Sequence, residues 1–231
     1  MKLEVDGLRA GYGSAVIVEG VGFEVPDHGA LAVVGRNGMG KSTLLKAIMG
    51  YIKPSRGTVV AGGQEITRWP THRIARSGIA YAAQERSLFG ELTVDDNLSI
   101  GKGKRCPPAL RDEVLGYFPV LGQRLRQRAG TLSGGEQKML TLAKALVAEP
   151  DLLVLDEISD GLGPAVVTSV GAALTSLRER HGCTILMVEQ NLDLSLTVAD
   201  SVAVLKLGSL VFEKSKGEAG LRDELVTQLA P

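Results

Sequence analysis

The chain has 231 residues, with 26 basic and 26 acidic side chains, so its formal net charge is zero. This balance argues against a polyanion such as DNA as the main partner, and we expect no nucleic-acid binding. The length suits one large α/β domain, or a domain that carries a subdomain.

Compartment signals predict a soluble cytosolic protein that could still dock on a membrane partner. The two scattered cysteines, Cys106 and Cys183, form no disulfide framework and are expected to be reduced thiols. Acidic side chains within residues 1–6 are unlike a signal peptide. No stretch approaches ~20 apolar residues, so no membrane-spanning helix is expected.

Predicted strands and helices alternate along most of the chain. Strands are predicted at 16–18, 21–25, 30–34, 58–61, 79–83, 152–155 and 184–188, and a hairpin around Gly208 at 202–205 and 210–212. Helices are predicted at 41–50, 136–148, 166–180 and 218–229. This alternation indicates a parallel core sheet. Residues 85–130 have a helical pattern, with a capping box at Thr93 and a break near Pro107, and we interpret them as a helical insertion.

A glycine-rich phosphate-binding pattern, G-x-x-x-x-G-K-[ST], lies between a buried strand and a helix. Its glycines let successive N–H groups point at phosphate oxygens. Lys41 would bring positive charge to the β and γ phosphates, and Ser42 would ligate Mg²⁺. The alternative, a plain glycine turn, is disfavoured by the flanking strand and helix. The pattern is Gly35-Arg36-Asn37-Gly38-Met39-Gly40-Lys41-Ser42.

Two adjacent carboxylates, Asp156 and Glu157, follow the apolar strand at 152–155. The carboxyl end of such a strand is the sheet edge where ligands bind. Asp156 would hold Mg²⁺, directly or through water, and Glu157 would polarise the attacking water. A solvated turn is the alternative, and it would be favoured if the lysine loop were not present.

A second anion site is predicted at residues 132–136, where Ser133, Gly134 and Gly135 precede a helix. The unpaired N–H groups of a helix N-terminus attract anions. One nucleotide cannot use both sites of the same chain unless they face each other. The sequence therefore predicts that two chains close over the nucleotide.

With these motifs in this order, nearly the whole chain resembles the ATP-binding subunits of ABC transporters. Residues 35–43, ending at Thr43, resemble the Walker A motif, 152–157 the Walker B motif, and 132–136 the signature motif. The resemblance implies ATP and Mg²⁺ as cofactors. It also implies a P-loop NTPase core with a parallel sheet (about 1–84 and 151–231), an N-terminal antiparallel β part and a helical signature subdomain (about 85–150).

Further site residues are implied by the resemblance. Tyr12 is expected to stack on adenine, although a core aromatic is the alternative. Gln84 matches the glutamine that meets Mg²⁺ and water and senses the membrane partner. Residues 159–161 fall at the D-loop, which crosses to the other subunit. Ser133, Gly134 and Gly135 are expected to act on the nucleotide of the partner subunit.

Two positions depart from the family pattern. Gln190 stands where the family usually has histidine, and an amide can donate to the γ-phosphate but cannot shuttle a proton. Ile158 stands where proline is usual, so the turn after Glu157 is less rigid. Gln190 is therefore expected to act only as a γ-phosphate sensor.

The Glu-Gln-Asn string at 189–191 and the residues at 160–164 resemble the shorter ATPase of importers for branched-chain amino acids, urea or amides. That resemblance implies a second ATPase, in a hetero- or homodimer, permease subunits, a periplasmic solute-binding protein and a place at the cytoplasmic face of the membrane. Alternatives are an exporter ATPase and a regulatory module with little hydrolysis. Soluble repair or translation relatives are disfavoured, because the chain has neither a long coiled coil nor a second cassette. The transported solute is not encoded in these motifs.

Overall fold

The computed structural model describes residues 1–83, 87–103 and 105–230. The strands are β1 (Leu3–Tyr12), β2 (Ala15–Val25), β3 (Ala30–Val34), β4 (Arg56–Ala61), β5 (Gln64–Glu65), β6 (Ile79–Ala82), β7 (Leu152–Asp156), β8 (Thr184–Glu189), β9 (Ser201–Lys206) and β10 (Ser209–Ser215). The helices are α1 (Lys41–Ile48), α2 (Thr71–Arg76), α3 (Val94–Lys102), α4 (Pro108–Tyr117), α5 (Pro119–Gly122), α6 (Gly134–Leu146), α7 (Pro164–His181), α8 (Leu192–Val198) and α9 (Leu221–Leu229), with a 3₁₀ turn at Ala129–Thr131. Within these ranges, no helix combines the length and the apolar character needed to cross a bilayer.

A six-stranded sheet in the order β10-β9-β3-β8-β7-β6 forms the centre of the fold. Its pairs from β9 to β6 are parallel, and only β10 runs antiparallel, against β9. The predicted parallel core and the predicted hairpin around Gly208 are both confirmed. Because β3, β8 and β7 are neighbours, the loops that follow them emerge side by side.

A smaller antiparallel sheet, β2-β1-β4-β5, covers one face of the central sheet. The resemblance implied an antiparallel N-terminal part, and the structure confirms it. Its central strand β1 was not predicted from the sequence pattern, and neither were the short elements β5, α2 and α8.

The apolar residues of β3 alternate between two cores. Leu31 and Val33 pack with α1 and the antiparallel sheet, whereas Ala32 and Val34 pack with the helices on the other side. A strand buried on both faces reads as a continuous apolar run. The central sheet is therefore the middle layer of three.

The helical pattern predicted for 85–130 is confirmed for the described part of that segment, which contains α3, α4 and α5. The capping box is present: the Thr93 side chain accepts from the N–H of Asp96, whose side chain accepts from the N–H of Thr93. Helix α6 begins at Gly134, earlier than the predicted Glu136. Buried residues of α3 and α6 belong to the same core cluster as the sheet. The division of the chain at about 85 and 150 stays a prediction.

Candidate functional site

The loop between β3 and α1 curls around the ammonium group of Lys41. Gly38 and Gly40 have φ of 80° and 100°, a region that favours glycine. At Gly35, a Cβ atom would lie 2.6 Å from the carbonyl oxygen of Leu205, so a side chain would clash with backbone. The Lys41 Nζ donates to the carbonyl oxygens of Gly35 and Arg36 at 2.7 and 2.9 Å. The loop thus has the shape that its sequence predicts, with α1 directing its positive N-terminal end at the same place.

Lys41 and Glu157 form a buried ion pair. The Nζ lies 2.8 Å from Glu157 Oε1, and both side chains are less than a tenth exposed. Glu157 follows β7, and its N–H donates to the carbonyl of Val188 at 3.0 Å. The pair joins the end of β7 to the loop after β3, with the end of β8 between them.

Asp156 receives two hydrogen bonds at the inner end of the site. Ser42 Oγ donates to its Oδ1 and the Tyr81 hydroxyl to its Oδ2, each at 2.9 Å. Burial raises the pKa of the Asp156 carboxyl, and these two hydrogen bonds act in the opposite direction. Burial and the charge of Asp156 raise the pKa of Tyr81, so its hydroxyl stays a donor. Tyr81 was not among the predicted site residues.

The oxygen atoms of Ser42 and Asp156 fit the preference of Mg²⁺ for hard ligands. They lie within hydrogen-bond distance of each other at the first turn of α1 and the end of β7. Water and phosphate oxygens usually complete such a site. The third predicted ligand, Gln84, lies outside the described residues.

The Gln190 side chain links its own loop after β8 to the glycine loop and to Glu157. Its Nε2 donates to Asn37 Oδ1 at 2.7 Å and to Glu157 Oε1 at 3.4 Å. The side chain amide therefore reaches both the glycine loop and the carboxylate predicted to polarise water. The amide of Gln190 can donate hydrogen bonds but cannot transfer a proton, which agrees with the predicted donor role.

One cavity of about 420 Å³ collects most of the predicted phosphate-site residues. Two further predicted residues are connected to this cavity by hydrogen bonds. Asp156 accepts from Ser42, and the carbonyl of Gly35 accepts from Lys41. Ile17 lines the cavity without having been predicted, and Asp160 was predicted only as part of the D-loop, since neither belongs to a phosphate-binding pattern. The lining residues are Ile17, Asn37, Gly38, Gly40, Lys41, Ser42, Thr43, Glu157, Asp160 and Gln190.

Tyr12 lies at the end of β1 with 52% of its side chain exposed. The alternative of a core aromatic is therefore wrong. In the described part of the chain, the residues that line the phosphate cavity include Ile17 of the paired strand β2 but not Tyr12. Its stacking on adenine stays a prediction, for which the exposed ring is available.

Ser133, Gly134 and Gly135 form the N-terminus of α6. Ser133 Oγ accepts from the N–H of Glu136, and the N–H of Ser133 donates to Glu136 Oε2 at 2.9 Å. The latter bond lowers the pKa of Glu136. In the described part of the chain, none of residues 133–135 lines the phosphate cavity. The structure thus brings the first phosphate site together and leaves the second one apart from it.

The strand–loop–helix around Lys41 and the two carboxylates at the end of β7 define the class of the protein: a P-loop ATPase. A family model described as ABC transporter matches residues 18–160, more than half of the chain. The chain belongs to the ABC transporter family, as an ATPase subunit.

Two relatives have the same identity to this chain. The high-affinity branched-chain amino acid transport ATP-binding protein BraG of Pseudomonas aeruginosa is 38% identical over 212 residues, which is 90% of this chain and 91% of BraG. The probable branched-chain amino acid transport ATP-binding protein LivF of Archaeoglobus fulgidus is 38% identical over 91% of each chain. BraF of Pseudomonas aeruginosa, with the same description as BraG, is 30% identical over 90% of this chain and 89% of its own.

Solved ABC cassettes have the same fold. A structure described as an ATP-binding subunit of an ABC transporter superposes with a TM-score of 0.85 at 26% identity, covering 99% of both chains. A nucleotide-free ATP-binding cassette superposes with a TM-score of 0.84 at 26% identity, covering 98% of this chain and 96% of the other.

Proposed function

We propose that the chain powers an ABC importer for branched-chain amino acids or a similar small solute. The hydrolytic half of the proposal rests on one observation: Lys41, Glu157 and Gln190 meet in a single cavity beside Asn37. The solute half rests on BraG and LivF, whose names state branched-chain amino acid transport.

ATP is held by groups at the carboxyl edge of the central sheet. Lys41 and the N–H groups of the glycine loop bind the β and γ phosphates, and Tyr12 offers a flat apolar face to the base. Ser42 and Asp156 would hold Mg²⁺, which would neutralise phosphate charge when bound. Gln84 is a further candidate ligand because it matches the glutamine of the family pattern.

Glu157 polarises the attacking water. Its carboxylate adjoins the ammonium group that would bind the phosphates, so nucleotide binding and the position of Glu157 are coupled through Lys41. Gln190 donates to the same Glu157 oxygen that pairs with Lys41, and it senses the γ-phosphate.

Two ATPase subunits complete each site together. This chain's Ser133, Gly134 and Gly135 offer a hydroxyl, N–H donors and a helix N-terminus to the γ-phosphate of the nucleotide that the partner subunit holds. The partner subunit returns the contact. Loss of phosphate removes the charge that holds the signature helix, and the pair opens. The match to both BraG and BraF from one organism is compatible with a pair of different ATPases.

A permease subunit is the proposed partner at the outer part of a groove of about 650 Å³, which Ser42 and Asp156 also line. Tyr51 and Phe89 line the groove with more than half of their side chains exposed. Lys144 of α6 also lines it, so motion of the signature helix would reach the same surface. We propose that segment 85–92 contacts the permease, which places the chain at the cytoplasmic face of the membrane and links it indirectly to a periplasmic solute-binding protein.

A regulatory module that binds ATP but scarcely cleaves it is the second candidate, and Gln190 favours it because a glutamine amide cannot shuttle a proton. Export is a third candidate, since a cassette does not contact the solute.

Replacing Glu157 by glutamine tests the proposal in the native complex, purified from membranes through a tag on this chain. Because the general base is lost, phosphate release at this chain's site should fall about 100-fold or more, with ATP retained. Radiolabelled phosphate release and trapped ATP are the measurements. Glu179→Gln, an exposed position on α7, is the matched control and should keep wild-type turnover.

Full turnover of Glu157→Gln in the presence of its partners would contradict the assignment. Wild-type complex without phosphate release would favour the regulatory module. Mass spectrometry of the same preparation identifies the permeases and the bound solute. We expect importer permeases with a branched-chain amino acid or a similar solute, and exporter subunits would contradict the import proposal.

A further inference from the structure

A buried carboxylate links the two loops that carry Glu157 and Gln190. Glu189, the last residue of β8, is 1% exposed. Its Oε1 accepts from the N–H of Ser159 at 3.0 Å, and its Oε2 accepts from the Ser159 hydroxyl at 2.6 Å. The N–H of Gln190 donates to the same Oε2 at 3.3 Å. One side chain therefore joins the loop after β7 to the loop after β8.

These hydrogen bonds call for a group that only accepts. Ser159 and Gln190 both present N–H donors, and an ionised carboxylate can accept on both oxygens at once. Burial raises the pKa of Glu189, and the hydrogen bonds from Ser159 act against that effect. A glutamine at 189 would have the same size, but its NH₂ group would confront a backbone donor on one side.

The link adjoins the reacting groups Glu157 and Gln190. Ser159 is separated from Glu157 by a single residue and precedes Asp160, which lines the phosphate cavity. A second cavity, of about 250 Å³, is bounded by both loops. The hydrogen bond of 3.4 Å from Gln190 Nε2 to Glu157 Oε1 joins the same two loops. A shift of Ser159 relative to β8 would therefore change that distance.

We propose that Glu189 is a positioning residue for hydrolysis, which holds Glu157 and Gln190 at a fixed separation through Ser159. This inference rests on the proposed roles of Glu157 and Gln190. In the described part of the chain, Glu189 is hydrogen-bonded to Ser159 and Gln190 and not to the phosphate-binding residues Lys41 and Ser42, so we expect ATP affinity to be independent of it.

The test is Glu189→Gln in the native complex, with ATPase kinetics and ATP affinity both measured. We expect kcat to fall about tenfold, since the buried donors lose an acceptor, while KM and the ATP Kd change by less than about twofold. Ser159→Ala should lower kcat by a smaller factor, because it removes the hydroxyl donor and keeps the N–H. In the Glu189→Gln background, Ser159→Ala should have little further effect. Glu179→Gln is again the matched control.

Wild-type kcat in Glu189→Gln would overturn the inference, and so would additive effects of the two substitutions. Loss of ATP affinity in parallel with kcat would also overturn it, because it would show a general structural role. If Glu189→Gln does not fold, Ser159→Ala decides alone, and an unchanged kcat overturns the inference. Full turnover of Glu157→Gln would instead defeat the proposed function, whereas an inactive Glu157→Gln with a fully active Glu189→Gln defeats only this inference.

Discussion

Glu157 has a backbone conformation that residues with a side chain rarely adopt. Its φ is 47°, and such a conformation costs about 1–3 kcal/mol unless the surroundings enforce it. The N–H bond to Val188 and the ion pair with Lys41 hold it in place. Backbone strain of this kind concentrates at functional sites, which agrees with the proposed role of the carboxylate.

Gln190 gives the clearest test at the scale of a single residue. In Gln190→Ala, kcat of the assembled complex should fall about tenfold, because a donor near the γ-phosphate is lost. The ATP Kd should stay within about twofold, since Gln190 contacts Asn37 and Glu157 but not Lys41 or Ser42. Steady-state kinetics and nucleotide binding measure the two effects.

Gln64→Ala, an exposed glutamine in β5 of the antiparallel sheet, is the matched control for that experiment. Unchanged ATPase activity in Gln190→Ala would end the sensor hypothesis. It would leave the role of Glu157 intact.

Residues in short patterns with one chemical purpose could be predicted, and residues defined by tertiary contacts could not. Lys41, Ser42 and Asp156 follow from local patterns beside apolar strands. Tyr81 and Glu189 reach the site only because β6, β7 and β8 are neighbours in the sheet. A tyrosine within a strand and a glutamate before a glutamine carry no such signal in the sequence.

At the scale of the element, two helices begin with the same device. The N-terminal residues Thr93 of α3 and Ser133 of α6 each form a capping box. A capping box satisfies two N–H groups that the helix itself leaves unpaired. In α6 this orders the helix end that is proposed to meet the partner's nucleotide.

Thr93→Ala tests the cap without touching the phosphate cavity. Removal of the side chain should lower the free energy of unfolding by about 1 kcal/mol, because the N–H of Asp96 loses its acceptor. Urea unfolding measures the change. Thr168→Ala, at an exposed position in the second turn of α7, is the control and should be close to neutral, since its hydroxyl bonds back to the carbonyl of Pro164.

The destabilisation caused by Thr93→Ala should depend on pH. Hydrogen bonds from the Thr93 side chain and N–H lower the pKa of Asp96 below its ordinary value of 3.8. A carboxyl group whose pKa is lowered in the folded chain stabilises the fold at pH values above its ordinary pKa. This stabilisation is lost as the pH falls through the lowered pKa. The loss of unfolding free energy in Thr93→Ala should therefore be full at neutral pH and smaller at pH ~3. A deficit that grows on acidification would contradict this account.

Elements that were not predicted have identifiable physical causes. In β1 the buried residues are Leu3, Val5, Leu8 and Ala10, and the alternation breaks where Gly7 has φ of 55° and the pairing with β2 shifts. In α8 the apolar residues alternate as in a strand, but the Asn191 side chain accepts from the N–H of Leu194 and starts a helix. Prediction from the local sequence pattern fails where a β-bulge or a helix cap determines the secondary structure.

At the scale of the whole molecule, the three layers place the two anion sites apart. The phosphate cavity lies at the carboxyl edge of the central sheet, and its lining includes residues that follow β3, β7 and β8. The N-terminus of α6 belongs to the helical layer, and the described residues 133–135 do not reach that cavity. This separation supports the proposal that a single chain offers half of each of two composite sites.

The most direct test of this pairing is the mass of the particle that the Glu157→Gln chain forms with ATP and Mg²⁺. Light scattering is measured on the chain alone and on the chain mixed with the second ATPase found in the native complex. We expect ATP to convert single cassettes into pairs in at least one of the two samples, whereas particles without ATP should stay single. Single cassettes in both samples, with ATP bound, would contradict it.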